Sequence, residues 1–181
     1  MTSPAPGHDY VDEMVAALTG FHAPSTLESK ALAYRLRRVA HRLEIEIKRE
    51  LSPHDIELWE LELLACLSRA RPAQRLSAGQ LMTQLQLTSG AVTNRVNRLE
   101  RKGWVTREPD PGDRRSVVVT LTADGAKRAA HVFGTKTEAE GALLAALSPA
   151  RRRRLNDDLR TLLISLEDPD GTSKTTRRPQ P

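Results

Sequence analysis

Aromatic residues are scarce in this sequence. Phe, Trp and Tyr together make up 3% of its 181 residues. Proteins that bind single-stranded nucleic acid stack successive bases on aromatic rings, so this composition disfavours such a binding surface. The sequence also has a single cysteine, Cys66, which excludes an internal disulfide and is typical of a reducing cytoplasm. Because Cys66 lies among leucines, we expect it to pack in the core rather than to sense oxidants.

Long apolar runs and catalytic motifs are also missing. No apolar stretch approaches the thickness of a bilayer, and the first residues lack the pattern of a signal peptide, so we expect a cytoplasmic protein with no membrane contact. There is no nucleophile with a base, no carboxylate pair and no glycine-rich phosphate loop. The five histidines lack metal-ligand spacing, so neither a metal nor a cofactor is expected. These absences disfavour an enzyme.

The chain has a modest basic excess, with a net charge of +5. Such an excess indicates a nucleic-acid partner only where the charge clusters on one element. Residues 1–8 are rich in Pro, Ser and Gly, and residues 168–181 combine Pro with Lys and Arg. We expect a disordered arm at one end and a disordered basic tail at the other.

Between these ends the apolar periodicity is mainly helical. It predicts a helix over residues 9–20 and a long helix over residues 27–50. Ser52 and Pro53 then have the character of a cap and first turn, so we expect them to open the next helix. Two later helices have clear starts: a capping box at Ser77–Gln80 and a Ser-Pro pair at residues 148–149.

The period changes from helical to alternating after Gly103. The β-branched residues of 104–107 and 116–121 predict two strands, and the turn-rich loop 108–115 between them predicts a hairpin. A helix from Thr122 to about Leu147 is expected to follow. The fold class is therefore mainly α with a small β-hairpin wing.

The helix before Gly103 has a polar face suited to DNA. Val92, Val96 and Leu99 recur at helical spacing and should face inward. Amide and guanidinium groups can form bidentate bonds with base edges, and small residues at the helix start let it approach a phosphate. The candidate contacts on this helix are Ser89, Gly90, Thr93, Asn94, Asn97, Arg98 and Arg101.

Taken alone, this helix could equally be an ordinary solvated amphipathic helix. The capped helix before it and the arginine-tipped hairpin after it favour a winged helix-turn-helix instead. Since a fold does not fix a function, a winged-helix module that binds proteins rather than an operator stays open as the alternative.

The residues from Leu85 to Gly103, followed by Asp-Pro-Gly-Asp-Arg-Arg at 110–115 and Thr-Ala-Asp-Gly at 122–125, resemble the MarR family of regulators. The resemblance implies a homodimer that binds a pseudo-palindromic double-stranded operator. It also implies that Asp113 orients Arg115 into the minor groove, with Arg114 on a phosphate, which suits the negative potential of narrow grooves.

The resemblance also implies a division of the chain and a regulatory ligand. Residues 9–51 and 125–167 are expected to form the dimerisation helices, and residues 52–124 the DNA-binding domain. The protein is expected to be a repressor released by a small, anionic or aromatic effector. The residues expected to line its pocket are Arg38, Arg42, Trp59, Glu62 and Arg95.

The chain is similar in layout to family members that have an extra amino-terminal helix, including those that respond to urate. Those members place a tryptophan in that helix and an aspartate in the second helix. Here the first tryptophan is Trp59, and the nearest carboxylate is that of Glu62. This departure disfavours urate as the effector.

Overall fold

The computed structural model describes residues 7–110 and 116–167. Contacts divide the chain into two compact units, with the boundary between Glu140 and Gly141. In chain order the helices and strands of the described residues are α1 (Tyr10–Leu18), α2 (Pro24–Leu51), α3 (Leu58–Arg69), β1 (Arg75–Ser77), α4 (Ala78–Leu85), α5 (Ser89–Arg101), β2 (Val105–Pro109), β3 (Val117–Leu121), α6 (Ala123–Leu143) and α7 (Pro149–Glu167). Within those residues, no helix has the length and apolarity that a membrane span requires.

The amino-terminal helix is confirmed and is tied to α2. Asp9 caps α1 by accepting hydrogen bonds from the backbone N–H groups of Val11 (2.8 Å) and Asp12 (3.1 Å). The Arg35 Nε donates to Asp9 Oδ2 at 2.8 Å, and this bond above all lowers the pKa of Asp9 to about 2. Val11 is buried on the inner side of the helix.

The predicted helix start at Ser52 and Pro53 is wrong. These residues belong to a 3-10 turn, Ser52–His54, and the next residue, Asp55, has the left-handed φ of 48° that breaks the helical path. Helix α3 begins only at Leu58, with Glu57 as its N-cap residue. The break lets the chain bury apolar side chains on both sides of the turn, which one continuous helix after Ser52 would have to forgo.

The two helices of the helix-turn-helix have the caps that the sequence predicts. Ser77 Oγ accepts from the Gln80 N–H at 3.2 Å, while the Gln80 carboxamide accepts from the Ser77 N–H at 2.8 Å. Thr88 caps α5, accepting from the Ala91 N–H at 3.3 Å. Gly103 follows α5 with φ of 72°, a left-handed conformation that costs glycine little.

The wing is a three-stranded antiparallel sheet in the order β1-β3-β2. Strands β2 and β3 form the predicted hairpin, in a register that places Arg107 opposite Val119. Strand β1 was not predicted, because three residues carry no detectable alternation. It pairs Leu76 with the same Val119 on the other side of β3. The sheet therefore joins the segment before α4 to the hairpin after α5.

The core gathers around α3. Leu61, Leu64 and Leu67 of this helix have no exposed surface, and buried side chains from α4, α5 and the sheet pack around them. Cys66 is buried in the same layer, as predicted, and its Sγ donates to the Gln84 carboxamide at 3.1 Å. Burial raises the pKa of the Cys66 thiol, which keeps it protonated.

Helix α6 starts tightly against the end of the recognition helix. The Thr122 N–H donates to the Trp104 carbonyl at 3.1 Å, and Thr122 Oγ1 donates to the Gly103 carbonyl at 2.9 Å. Thr122 Oγ1 also accepts from the Gly125 N–H at 3.0 Å. A Cβ at Gly125 would lie 2.2 Å from the Trp104 carbonyl oxygen, so only glycine fits there.

We predict that Gly125→Ala destabilises the protein by about 3 kcal/mol, at the upper end of overpacking effects, because the colliding atom is backbone. Gly79→Ala is the matched control, since a Cβ there meets only the Ser77 Oγ at 3.9 Å. Urea unfolding followed by circular dichroism measures both. Equal stability of the two variants would show that Thr122 and Gly125 do not fix the start of α6.

Candidate nucleic-acid interface

Helix α5 buries one face and exposes the other. Val92, Val96 and Leu99 pack into the core with at most 2% of their surface exposed. On the opposite face Asn94 and Arg101 are exposed. Because the burial follows the helical period, the predicted orientation of this helix is confirmed.

The amino-terminal end of α5 is open to solvent. Ser89, Gly90 and Thr93 are exposed, and a Cβ at Gly90 would meet no atom within 4 Å. The first N–H groups of a helix lack intrahelical partners and attract anions. The open surface at this end therefore leaves room for a phosphate to approach those groups.

A wing residue contacts the recognition helix on one side. Arg107 of β2 donates from Nη1 to Asn97 Oδ1 and from Nη2 to Glu100 Oε2, both at 2.6 Å. Arg107 was not among the predicted site residues. Its sequence signal is weak, because it has the same strand parity as the buried Val105 and yet is exposed. Asn97 is therefore partly engaged within the protein.

Arg98 contacts α3 on the other side of the helix. Its Nη2 donates to Glu57 Oε1 at 2.5 Å, and its guanidinium carbon lies 4.7 Å from the centroid of the Trp59 ring. The Trp59 Nε1 donates to Glu57 Oε2 at 2.7 Å. Hydrogen bonds from Trp59 and then from Arg98 lower the pKa of Glu57, so the carboxylate stays ionised. The guanidinium of Arg95 lies 5.4 Å from the same ring.

A buried ion pair fixes the carboxyl end of α5. Glu60 of α3 is fully buried, and the Lys102 Nζ lies 2.8 Å from its Oε1 and donates to its Oε2 at 2.9 Å. Oε2 also accepts from the Glu57 N–H at 3.0 Å. The Lys102 ammonium lies 4.5 Å from the centroid of the Trp104 ring. Sequence analysis missed this pair, whose only sequence signal is an acidic residue in the first turn of an otherwise apolar helix.

The five predicted effector-pocket residues do not come together. Arg38 stacks on Tyr10 at 4.7 Å and lines a cleft of about 570 Å³ beside α1 and α2. Arg42 lies 3.6 Å from Glu46 on the same helix. Glu62 lines a different cleft, of about 350 Å³, between α3, α4 and α6. The remaining two, Trp59 and Arg95, stack on each other beside α5.

The predicted wing contacts Asp113, Arg114 and Arg115 lie outside the described residues. The strands remain paired up to that point, because the Asp110 N–H donates to the Ser116 carbonyl at 2.9 Å. A short helix, a tight turn, a helix with a polar outer face and a β-hairpin define the class of winged helix-turn-helix proteins.

Comparisons with known proteins agree with this class. The sequence model of the MarR family matches residues 56–117. The HTH-type transcriptional regulator PecS of Dickeya dadantii is 30% identical over 120 residues, covering 66% of this chain and 72% of PecS. The chain therefore belongs to the MarR family, whose members are DNA-binding transcription regulators rather than enzymes.

Solved structures show the same fold. Sco3205 of Streptomyces coelicolor, a MarR family regulator in complex with DNA, is 25% identical with a TM-score of 0.71, over 77% of this chain and 88% of that one. A mutant of MarR from E. coli, complexed with operator DNA, is 25% identical with a TM-score of 0.68. That match covers 86% of this chain and 99% of the MarR chain.

We predict that Glu60→Gln destabilises the protein by about 3 kcal/mol, because it leaves the Lys102 ammonium beside a neutral group at a buried site. Lys102→Met in the same chain should recover most of this loss, since no charge then remains to be solvated. Urea unfolding of the single and double variants tests both statements. If Glu60→Gln were as stable as the unaltered chain, the ion pair would not hold α5 in place.

Proposed function

We propose that this chain is a sequence-specific, double-stranded DNA-binding transcription regulator. The observation that carries the proposal is the exposed polar face of α5, with Asn94 and Arg101 beside an open helix start. Asparagine can bind adenine and arginine can bind guanine through paired hydrogen bonds in the major groove. The relatives bound to DNA or to operator DNA support the same use of this surface.

Ser89, Gly90 and Thr93 are proposed to meet the phosphate backbone at the start of α5. Arg98 is proposed to reach base edges although it pairs with Glu57. The two side chains are 43% and 54% exposed, and ion pairs at such exposed sites contribute only about 0–1 kcal/mol. A good bidentate base contact is worth about 1–3 kcal/mol, so the contact with Glu57 does not prevent one.

The wing is proposed to add a minor-groove contact. In this proposal Arg115 enters the groove, Asp113 orients it and Arg114 neutralises a phosphate. Arg107 and Asn97 join the base of the wing to α5, which would keep the two DNA-contacting parts at a fixed separation.

We propose that the regulator acts as a homodimer on a pseudo-palindromic operator. Helix α7 has no buried residue, although Leu163, Ile164 and Leu166 expose 54%, 60% and 75% of their surface. On α2, Leu32 and Val39 are also more than half exposed. A second copy would remove this apolar surface from water, and a two-fold axis would place two copies of α5 on one DNA face.

The finer part of the proposal is repression that a small molecule releases. The basic side chains around the cleft of α1 and α2, with Tyr10 and Tyr34, suit an anionic aromatic ligand. Such a ligand must bind the DNA-free geometry more tightly than the DNA-bound one, and a tenfold release needs a difference of about 1.4 kcal/mol. Loss of operator affinity on adding aromatic acids tests this part.

We predict that Asn94→Ala costs roughly 1–3 kcal/mol of DNA binding and relaxes preference at particular base pairs. Arg114→Ala should weaken all sequences alike and reduce the salt slope by about one unit per phosphate released. Arg115→Ala should weaken binding without unfolding the chain. Binding titrations over salt and over single-base operator variants measure these effects, with Lys127→Ala as an exposed-cation control on α6.

The variants separate the wing from the recognition helix. Unchanged affinity of Arg115→Ala would remove the wing from the mechanism. Unchanged preference in both Asn94→Ala and Arg98→Ala would mean that another element reads the bases. A chain that binds no duplex from a random pool would be a protein-interaction module instead.

A further inference from the structure

Arg98 differs from the other polar residues on α5 because a neighbouring helix holds its side chain. Asn94 and Arg101 are exposed on the outer face, and Arg101 contacts only its own helix, through its Nε and the Asn97 carbonyl at 3.3 Å. Arg98 instead bonds to Glu57 and stacks on Trp59, both from the start of α3. Its orientation is therefore set before any DNA binds.

The contact uses one part of the guanidinium. Nη2 donates to Glu57 Oε1 at 2.5 Å, and the flat face covers the Trp59 ring at 4.7 Å. Within the described residues, Nε and Nη1 of Arg98 make no hydrogen bond, and 43% of the side chain is exposed. A guanidinium has five N–H donors in a rigid fork, so donors remain for a base edge after Glu57 has taken one.

Glu57 is itself fixed on both sides. Its second oxygen accepts from the Trp59 Nε1 at 2.7 Å, and its backbone N–H donates to the buried Glu60 carboxylate at 3.0 Å. Glu60 in turn holds Lys102 at the end of α5. The carboxylate that grips Arg98 thus belongs to the same network that positions the recognition helix.

We infer that Glu57 and Trp59 are specificity-determining residues that position Arg98 for one base pair of the operator. The inference rests on the proposed function. A held arginine loses less freedom when it meets a matching guanine, because its conformation is already selected. A held arginine also cannot swing to whichever phosphate is near, so it gives less to non-cognate DNA.

A negative charge beside a DNA-binding helix supports this reading. A carboxylate repels phosphates, so an acid at Glu57 weakens binding to every sequence unless it has a compensating role. Simple stabilisation is a poor compensation, because Arg98 and Glu57 are 43% and 54% exposed and water screens their attraction. Orientation of the arginine is a role that exposure does not weaken, because it needs only that the pair persists.

The test uses the full chain and two duplexes. The cognate duplex is recovered from a random pool by the unaltered protein, and the second duplex is the same sequence scrambled. Glu57→Gln keeps the size of the side chain and an acceptor for Trp59 but removes the charge that holds Arg98. Glu62→Gln, an exposed acid farther along α3, is the matched control for the loss of one negative charge.

We expect Glu57→Gln to lower the ratio of cognate to scrambled affinity by about fivefold or more, with the loss confined to one base pair per half-site. Arg98→Ala should lose preference at the same base pair, and the double variant should lose no more than Arg98→Ala alone. Glu62→Gln should leave the ratio unchanged. Trp59 fluorescence should change in Glu57→Gln without DNA, while the melting temperature stays within about 2 °C.

Two results would overturn the inference. In the first, Glu57→Gln binds both duplexes more tightly by the same factor, also when Arg98 is alanine, so that Glu57 acts only as a repelling charge. In the second, cognate affinity alone rises, so that Glu57 withholds Arg98 from DNA. If the unaltered chain selected no duplex at all, the proposed function would fail as well, and the two failures are thereby distinguished.

Discussion

The buried contact between Glu60 and Lys102 is the interaction on which the DNA-facing surface depends. It joins the first turn of α3 to the end of α5, and the core leucines of α3 make that anchor rigid. Taking two charges out of water is costly, and a pair of this kind is tolerated only where both partners are well placed. A change in the angle between α3 and α5 would therefore separate the charges, which is why this angle resists deformation.

The other contacts of the recognition helix act around this fixed point. Arg107 joins the wing to one side of α5, and the Glu57–Trp59 pair holds Arg98 on the other side. Thr122 and Gly125 close α6 against the segment that follows the helix. A ligand or a second copy that shifted α3 or α6 would shift α5 with them, so the same rigidity that positions α5 also offers a route for regulation.

Local chemistry made much of the fold predictable. The capping box at Ser77 and Gln80, the Thr88 cap and the left-handed Gly103 each depend on residues within a few positions of one another, and all three were confirmed. The inward face of α5 followed from helical periodicity. The error at Ser52 has a local cause as well, since the same residues suit a 3-10 turn and the first turn of a helix.

What could not be predicted depends on pairing across the chain. Strand β1 exists only because β3 is beside it, and Arg107 meets Asn97 only once the hairpin has folded onto α5. The spread of the predicted effector residues has the same cause, because α2 and α3 turn them in different directions. Hydroxyl-radical footprinting of the selected duplex tests the central claim most directly. The account predicts protection of one DNA face over two successive helical turns, about 10 base pairs apart. Protection of a single turn, or none, would contradict it.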